Sequence, residues 1–233
     1  RIMEEMGESD GLDYYSNQLM VSDKKKELAI ITEKAEREIL ELSNEKSFSL
    51  YISIPFCPSR CNYCSFVSQS IEKAKHLIGD YVDLLCEEIK LTAEVAKNLG
   101  LTLETVYMGG GTPTTLSASQ MAQVLKTVND NFDMSICREF TVEAGRPDTI
   151  TREKLLAIKE NGVTRISINP QTLNDEVLNI IGRPHNTNDV NLPNIIRVQM
   201  TDVDTGLPVS GGKNSGVYVN DDDTKLKTLE GVS

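Results

Sequence analysis

Between residues 48 and 183, short β-prone runs alternate with amphipathic segments, and this alternation leaves few folds open. Leu50-Tyr51-Ile52-Ser53-Ile54 alternates with a period of two and stops at Pro55, so it reads as a strand. A segment over about 71–98 carries Ile78, Val82, Leu85, Ile89 and Ala93 on one helical side and leads to a second strand, Leu103 to Met108. Ser117 and Gln120 have capping-box spacing ahead of a helix with Met121, Leu125 and Val128. Glu139 to Glu143 is the third strand. Thr151 caps a helix that Gly162 ends, Thr164 to Asn169 is the fourth strand, and Asn174 caps a last helix ending near Gly182. The order β-α-β-α-β-α-β-α predicts an α/β fold with a parallel sheet and helices outside it, because parallel crossovers are most compactly made by helices.

Outside this block the character changes. Residues 22–43 predict an amphipathic helix, capped by Ser22 or Asp23, with Leu28, Ile31, Ala35, Ile39 and Leu42 on one face. After His185 no helical period survives. Residues 186–233 hold five of the chain's 15 glycines, an acidic Asp221-Asp222-Asp223 run and the turn-like Ser210-Gly211-Gly212-Lys213-Asn214, and read as short strands and loops or as a poorly ordered tail. The chain begins with Arg1, which reads as a fragment or the product of tag removal.

The strand ends carry the chemistry. Cys57 follows the first strand, Gly109 the second, Glu143 ends the third and Gln171 follows the fourth, and sites in α/β proteins gather at that edge. Cys57-Pro-Ser-Arg-Cys61-Asn-Tyr-Cys64 places three thiols on one loop with the spacing C-x3-C-x2-C. Three thiolates can each bind one iron of a 4Fe–4S cubane and leave the fourth iron open for a small molecule. A structural zinc site would want a fourth Cys or His close by, but Ser65-Phe66-Val67-Ser68 follows, and His76 falls within a predicted helix as an exposed side chain. Cys86 and Cys137 stand alone in apolar settings and read as small buried hydrophobes. Thiols crowded in this way, with no signal peptide, point to a reducing, cytoplasmic compartment. Gly109-Gly110-Gly111-Thr112-Pro113-Thr114 lets backbone approach a ligand closely or simply makes a tight turn; no Gly-Lys-Ser/Thr follows, so it is not a Walker loop.

Composition excludes several classes. A formal net charge of −11 argues against nucleic acid as a partner, since phosphate contacts demand Lys and Arg in excess. No apolar run approaches the roughly 18 residues needed to span a bilayer, so no membrane partner is expected.

The cysteine spacing resembles that of the radical S-adenosylmethionine superfamily. In that superfamily the open iron chelates the amine and carboxylate of S-adenosylmethionine, and an electron from the reduced cluster splits the sulfonium to give methionine and a 5′-deoxyadenosyl radical. The longer strings narrow the likeness: Tyr51-Ile-Ser-Ile-Pro-Phe-Cys57, the Gly-Gly-Gly-Thr-Pro-Thr run, Thr141-Val-Glu143, and Gln171 followed by Arg183 resemble the oxygen-independent coproporphyrinogen III oxidase family. Glu143-Ala-Gly-Arg-Pro-Asp148 and Ser167-Ile-Asn-Pro-Gln171 are most similar to its coproporphyrinogen dehydrogenase-like bacterial branch. The resemblance covers roughly residues 48–185.

That resemblance implies a (β/α) barrel, here partial and truncated. It divides the chain into an N-terminal helical segment (1–46), a partial barrel (47–185) and an atypical glycine-rich tail (186–233). It implies an oxidoreductase of haem biosynthesis that oxidatively decarboxylates two propionates of coproporphyrinogen III to vinyls, fed by an electron donor such as flavodoxin or ferredoxin. Cys57, Cys61 and Cys64 match the cluster ligands. Tyr51, Gly110 and Glu143 match contacts to the S-adenosylmethionine on the cluster, and Tyr63, Gly111, Thr112, Gln171 and Arg183 match contacts to a second one. Many oxidases of the family carry a fourth cysteine two residues beyond the third. Phe66 stands there instead, as in relatives that bind haem and deliver it, so a haem-binding chaperone is the second reading and an inactive fragment the third. Asp202-Val-Asp-Thr-Gly-Leu-Pro208 faintly resembles a later family strand. With the family's later strands missing, the chain is expected to hold a cluster and to convert coproporphyrinogen III poorly.

Overall fold

The computed structural model of the chain describes residues 2–66, 68–190, 198–202 and 215–219. Residues up to Glu45 make one compact unit and those from Lys46 another. The first unit holds α1 (Ile2–Met6), α2 (Glu8–Asp13), a π-helical turn at Tyr14–Gln18 and α3 (Asp23–Leu40). Ser22 has extended backbone before α3 but its side chain makes no cap hydrogen bond. No side chain of α3 is buried, and Ile31 and Ile39 of its apolar stripe are exposed.

The second unit is built on four parallel strands, β1 (Ser47–Ile54), β4 (Thr102–Gly110), β5 (Glu139–Glu143) and β6 (Arg165–Ser167), hydrogen-bonded in that order. A short parallel pair, β2 (Phe56–Cys57) with β3 (Gln69–Ser70), sits between β1 and the first crossover. The crossovers are α5 (Ile78–Asn98), preceded by the single turn α4 (Ile71–Ala74), then α6 (Ala118–Asn131) and α7 (Arg152–Glu160). After β6 come α8 (Asp175–Ile180) and α9 (Thr187–Val190), and then an antiparallel pair, β7 (Val198–Asp202) with β8 (Ser215–Val219).

Strands that follow one another outward in chain order can keep their crossover helices on one side of the sheet, as a barrel wall does. The burial pattern fits that arrangement. Ile52 and Ile54 of β1, Val106 and Met108 of β4, Phe140 and Val142 of β5 and Ile166 of β6 share one face by the period of two. They form one core with Val82, Leu85 and Ile89 of α5, Met121, Leu125 and Val128 of α6, and Ile158 of α7. Each such aliphatic side chain contributes about 1.5–3 kcal/mol when fully buried. The opposite face is polar. Tyr51, Tyr107, Thr141 and Arg165 lie in one register row across it, and Glu143 and Ser167 pair in another. Parallel sheets ordinarily bury both faces. Here the second face presents hydroxyl, carboxylate and guanidinium groups, as a barrel interior that receives a polar ligand would.

Local chemistry sets the boundaries. Ser117 Oγ accepts from Gln120 N at 3.2 Å while Gln120 Oε1 accepts from Ser117 N at 2.9 Å, completing the expected capping box of α6. Gly162 and Gly182 take φ values of 75° and 78° where α7 and α8 end, a region open to glycine at little cost. The helix expected over 71–98 divides, because Ala74 leaves helical geometry at φ −112°, ψ 8° and a 3-10 turn spans Lys75–Leu77. The fourth strand is shorter than expected. Pro170 has no N–H to donate, and it restricts Asn169 before it. Beyond His185 a helical turn forms that periodicity did not announce: Asn186 and Asp189 cap each other, side chain to backbone, at 2.7 and 3.3 Å. The Gly206-Leu-Pro208 stretch, residues 210–214 and the acidic run at 221–223 lie outside the described residues.

Candidate functional site

The cysteine loop is closed at its base and tied at its crown. At the base, β2 pairs with β3 and Gln69 N donates to Pro55 O at 2.8 Å, so the chain leaves and re-enters the sheet edge at nearly one place. At the crown the loop meets the end of α8, more than a hundred residues on. Asn62 Nδ2 donates to Ile180 O at 2.6 Å, Asn62 N to Ile181 O at 3.1 Å, and Ser59 Oγ to Gly182 O at 3.3 Å. The last carbonyls of a helix have no partners within it, and here the loop supplies a donor to Ile180 O, the last of α8, and to the Ile181 and Gly182 carbonyls just past it.

Cys57, Cys61 and Cys64 are free thiols that line one cleft of about 340 Å³. Among the described residues, no three His, Cys, Asp or Glu side chains converge tightly enough to hold one metal ion. In tetrahedral zinc sites all ligands meet at one centre. In a cubane each thiolate takes a different iron, so the three thiols need not converge on one point. The glycine turn after β4 closes on the first cysteine. A Cβ at Gly111 would stand 2.8 Å from Phe56 O and 3.0 Å from Cys57 Sγ, and Gly110 has φ +104°, so both positions demand glycine. Thr112, itself buried, donates from Oγ1 to Cys57 Sγ at 3.4 Å. Three thiols, a sulfur-directed hydroxyl and a bare backbone wall fit an iron–sulfur cluster.

Of the sequence-derived positions, Tyr63, Gly110, Gly111, Thr112, Glu143, Gln171 and Arg183 line the same cleft as the three cysteines. Tyr51 does not. It is 58% exposed on the polar face and stacks on Tyr107, with ring centroids 5.8 Å apart and planes 9° from parallel. Glu143 reaches the cleft from the end of β5 and accepts from Tyr107 Oη at 2.5 Å. Burial pushes the Tyr107 phenol well above its ordinary range, and the Glu143 carboxylate beside it adds to the shift. Gly109 makes room for this pair, since a Cβ there would lie 2.8 Å from the Tyr107 ring and 3.1 Å from Glu143 Oε2. Gln171 has φ 69°, a left-handed conformation uncommon outside glycine and frequent at functional sites when found. Arg183 donates from Nη1 to Gly145 O at 2.9 Å and from Nη2 to Tyr63 Oη at 3.2 Å, while its Nε is buried with no acceptor among the described residues. Burial raises the Tyr63 phenol, and Arg183 opposes that shift.

Several residues in or beside the cleft were not legible as site residues. Tyr107 is one strand residue among many, and Ser59 is one loop hydroxyl. Arg146, Asp148 and His185 cluster beside the cysteine loop. Arg146 forms a two-pronged ion pair with Asp148, Nε to Oδ1 at 3.0 Å and Nη2 to Oδ2 at 3.1 Å, and His185 Nδ1 stands 3.8 Å from the same carboxylate. Cys86 is buried in α5, and Cys137 is half-buried with its thiol directed to Glu139 O at 3.5 Å. His76 is exposed, on the 3-10 turn before α5. Among the described residues no helix is long and apolar enough to cross a membrane.

Comparison with known proteins agrees with this geometry. The family described as the Radical SAM superfamily matches residues 51–210. The oxygen-independent coproporphyrinogen-III oxidase-like protein HemZ of Bacillus subtilis is 43% identical over 138 residues, covering 59% of this chain and 28% of that protein. The heme chaperone HemW of Bacillus subtilis is 40% identical over 146 residues, 61% of this chain and 36% of the other. HemW of Escherichia coli is 36% identical over 137 residues, covering 59% and 35%. Among solved structures, coproporphyrinogen III oxidase (HemN) from Escherichia coli, described as a radical SAM enzyme, superposes with a TM-score of 0.55 at 28% identity, over 63% of this chain and 33% of that one. The chain thus spans about a third of the length of the relatives it matches. With a parallel sheet, a three-cysteine loop past its first strand and a family match over most of its length, the chain belongs to the radical SAM superfamily.

Proposed function

We propose that Cys57, Cys61 and Cys64 hold a 4Fe–4S cluster, that S-adenosylmethionine binds in the adjoining cleft, and that the protein acts on a tetrapyrrole. The observation that carries this reading is the convergence in one cleft of three free thiols with the Gly110–Thr112 turn, Glu143 and Arg183. When bound, such a cluster supplies an electron for reductive cleavage of the S-adenosylmethionine sulfonium. The chain's own residues bind and orient. Packing requires glycine at 110 and 111, where a side chain would collide with Ser53, Phe56 and Cys57, and bare glycine backbone can be approached closely by a ligand. The Glu143 carboxylate already accepts one hydroxyl, that of Tyr107, and has lone pairs left for ribose hydroxyls. The unpartnered Nε of Arg183 suits a carboxylate, and its Nη2 and Gly145 contacts fix its direction.

For the reaction, oxidative decarboxylation of coproporphyrinogen III to vinyl groups is the favoured reading, supported by likeness to HemZ and HemN. It would draw electrons from flavodoxin or ferredoxin. Haem carriage is the second reading. Phe66, 60% exposed on the cleft wall where a fourth cysteine would otherwise add a thiol, offers an apolar surface to a porphyrin face, and several relatives are named heme chaperones. Anaerobic reconstitution separates the readings. Formation of 5′-deoxyadenosine that rises with added coproporphyrinogen III and accompanies vinyl products supports the oxidase. Stoichiometric haem binding without vinyl products selects the chaperone. Protein that takes up no iron overturns both.

A further inference from the structure

Arg146 lies on the β5–α7 connection, is 2% exposed, lines the cleft and reaches the cysteine loop. Its Nη1 donates to Ser59 O at 3.2 Å and to Cys61 Sγ at 3.9 Å, and its Nη2 donates to Ser59 Oγ at 3.2 Å. The opposite edge of the guanidinium is clamped by Asp148. The pair is therefore an oriented dipole with its positive end on the Cys61 corner of the loop. Burying such a pair adds little to fold stability, because desolvation offsets the attraction. An apolar side chain would fill the place at no such cost. The other buried cation of the cleft, Arg183, spends its contacts on Gly145 O and the Tyr63 hydroxyl. Among the described residues, Arg146 is the cation that the hydrogen bonds bring to a cysteine sulfur.

We propose that Arg146 is a positioning residue for the cluster, fixing the Cys61 corner and setting the cluster's reduction potential, with Asp148 as the counter-charge that limits the effect. This rests on the reading of Cys57, Cys61 and Cys64 as cluster ligands. The sign follows from charge. Taking up one electron makes the cluster more negative, so a fixed cation at its edge favours the reduced state and an anion behind that cation opposes it. Hydrogen bonds to the sulfurs act in the same direction.

The test is potentiometric titration of reconstituted full-length protein with redox mediators, followed by electron paramagnetic resonance, with iron counted in every sample. Arg146→Gln should keep the wild-type iron content and move the midpoint to more negative potential. Asp148→Asn should move it the opposite way, and Arg146→Lys should fall between wild type and Arg146→Gln. A purely structural arginine would not produce shifts of opposite sign. Loss of the cluster in Arg146→Gln with retention in Arg146→Lys also supports the proposal. Loss in both, or the wild-type midpoint in both, overturns it. Wild-type protein without iron would instead refute the cluster reading itself, so the two failures are distinct.

Discussion

Tyr107 and Glu143, neighbours across the β4–β5 pair, share a hydrogen bond of 2.5 Å at the point where the polar face of the sheet meets the cysteine cleft. A carboxylate at the end of a buried strand needs a partner, and the phenol supplies one before any ligand arrives. Glu143 is thereby held in one direction with acceptor capacity to spare. Replacing Glu143 by Ala should leave iron content unchanged and weaken S-adenosylmethionine binding by about 1.5–3 kcal/mol, the worth of a hydrogen bond to a charged group. Isothermal titration of reconstituted protein measures it; equal affinity in wild type and variant would make Glu143 purely structural.

The thiols divide into two groups. Ala at Cys57, Cys61 or Cys64 should each abolish a cluster of about four irons and four sulfides, because each thiolate holds a different iron. Ala at Cys86 or Cys137 should leave it intact, since neither lines the cleft. Iron and sulfide analysis after anaerobic reconstitution distinguishes the groups.

Gly111 gives a steric test of the same site. An added Cβ would press on the Phe56 and Ile54 carbonyls and on Cys57 Sγ at 2.8–3.0 Å, and two of these are backbone atoms that cannot swing aside. Gly111→Ala should cost about 1–3 kcal/mol of overpacking and lower cluster occupancy. Gly79→Ala, where the new Cβ meets nothing within 4 Å, is the matched control and should retain the cluster in full.

His185 predicts a pH dependence. Burial lowers its pKa, although the Pro170 carbonyl and Asp148 pull the other way and Arg183 and Arg146 reinforce the burial. The folded protein thus prefers neutral imidazole, and the unfolded chain binds the proton more readily. That contribution to stability is complete above the ordinary histidine value of about 6.5 and is lost as pH falls from there through the lowered folded value. Urea midpoints of the cluster-free protein should fall between about pH 7.5 and about pH 5.5, and His185→Gln should flatten the fall. An identical slope in the variant would assign the dependence to other groups.

Strand–helix alternation, the capping residues Ser117, Thr151 and Asn174, and the C-x3-C-x2-C loop were legible in the sequence because each depends on neighbours within a few residues. Period and cap chemistry set β1, β4, β5 and the helices between them, and cysteine spacing alone placed three thiols on one loop. What the tertiary structure decided involves partners far apart in the chain. Asn62 and Ser59 serve the carbonyls at the end of α8, Tyr107 serves Glu143 from the next strand, and Arg146 reaches Ser59 and Cys61 across the sheet edge. No local pattern encodes these contacts, because an isolated Tyr, Arg or Asn has the same composition signal wherever it stands. The alternation of β1 was visible, but that Tyr51 stays exposed and stacked on Tyr107 followed only from which face of the sheet the helices cover. Secondary structure and the ligand loop follow from short-range order; the electrostatics around that loop follow from packing, which brings Arg146 to Cys61 and Arg183 to Tyr63 from far along the chain.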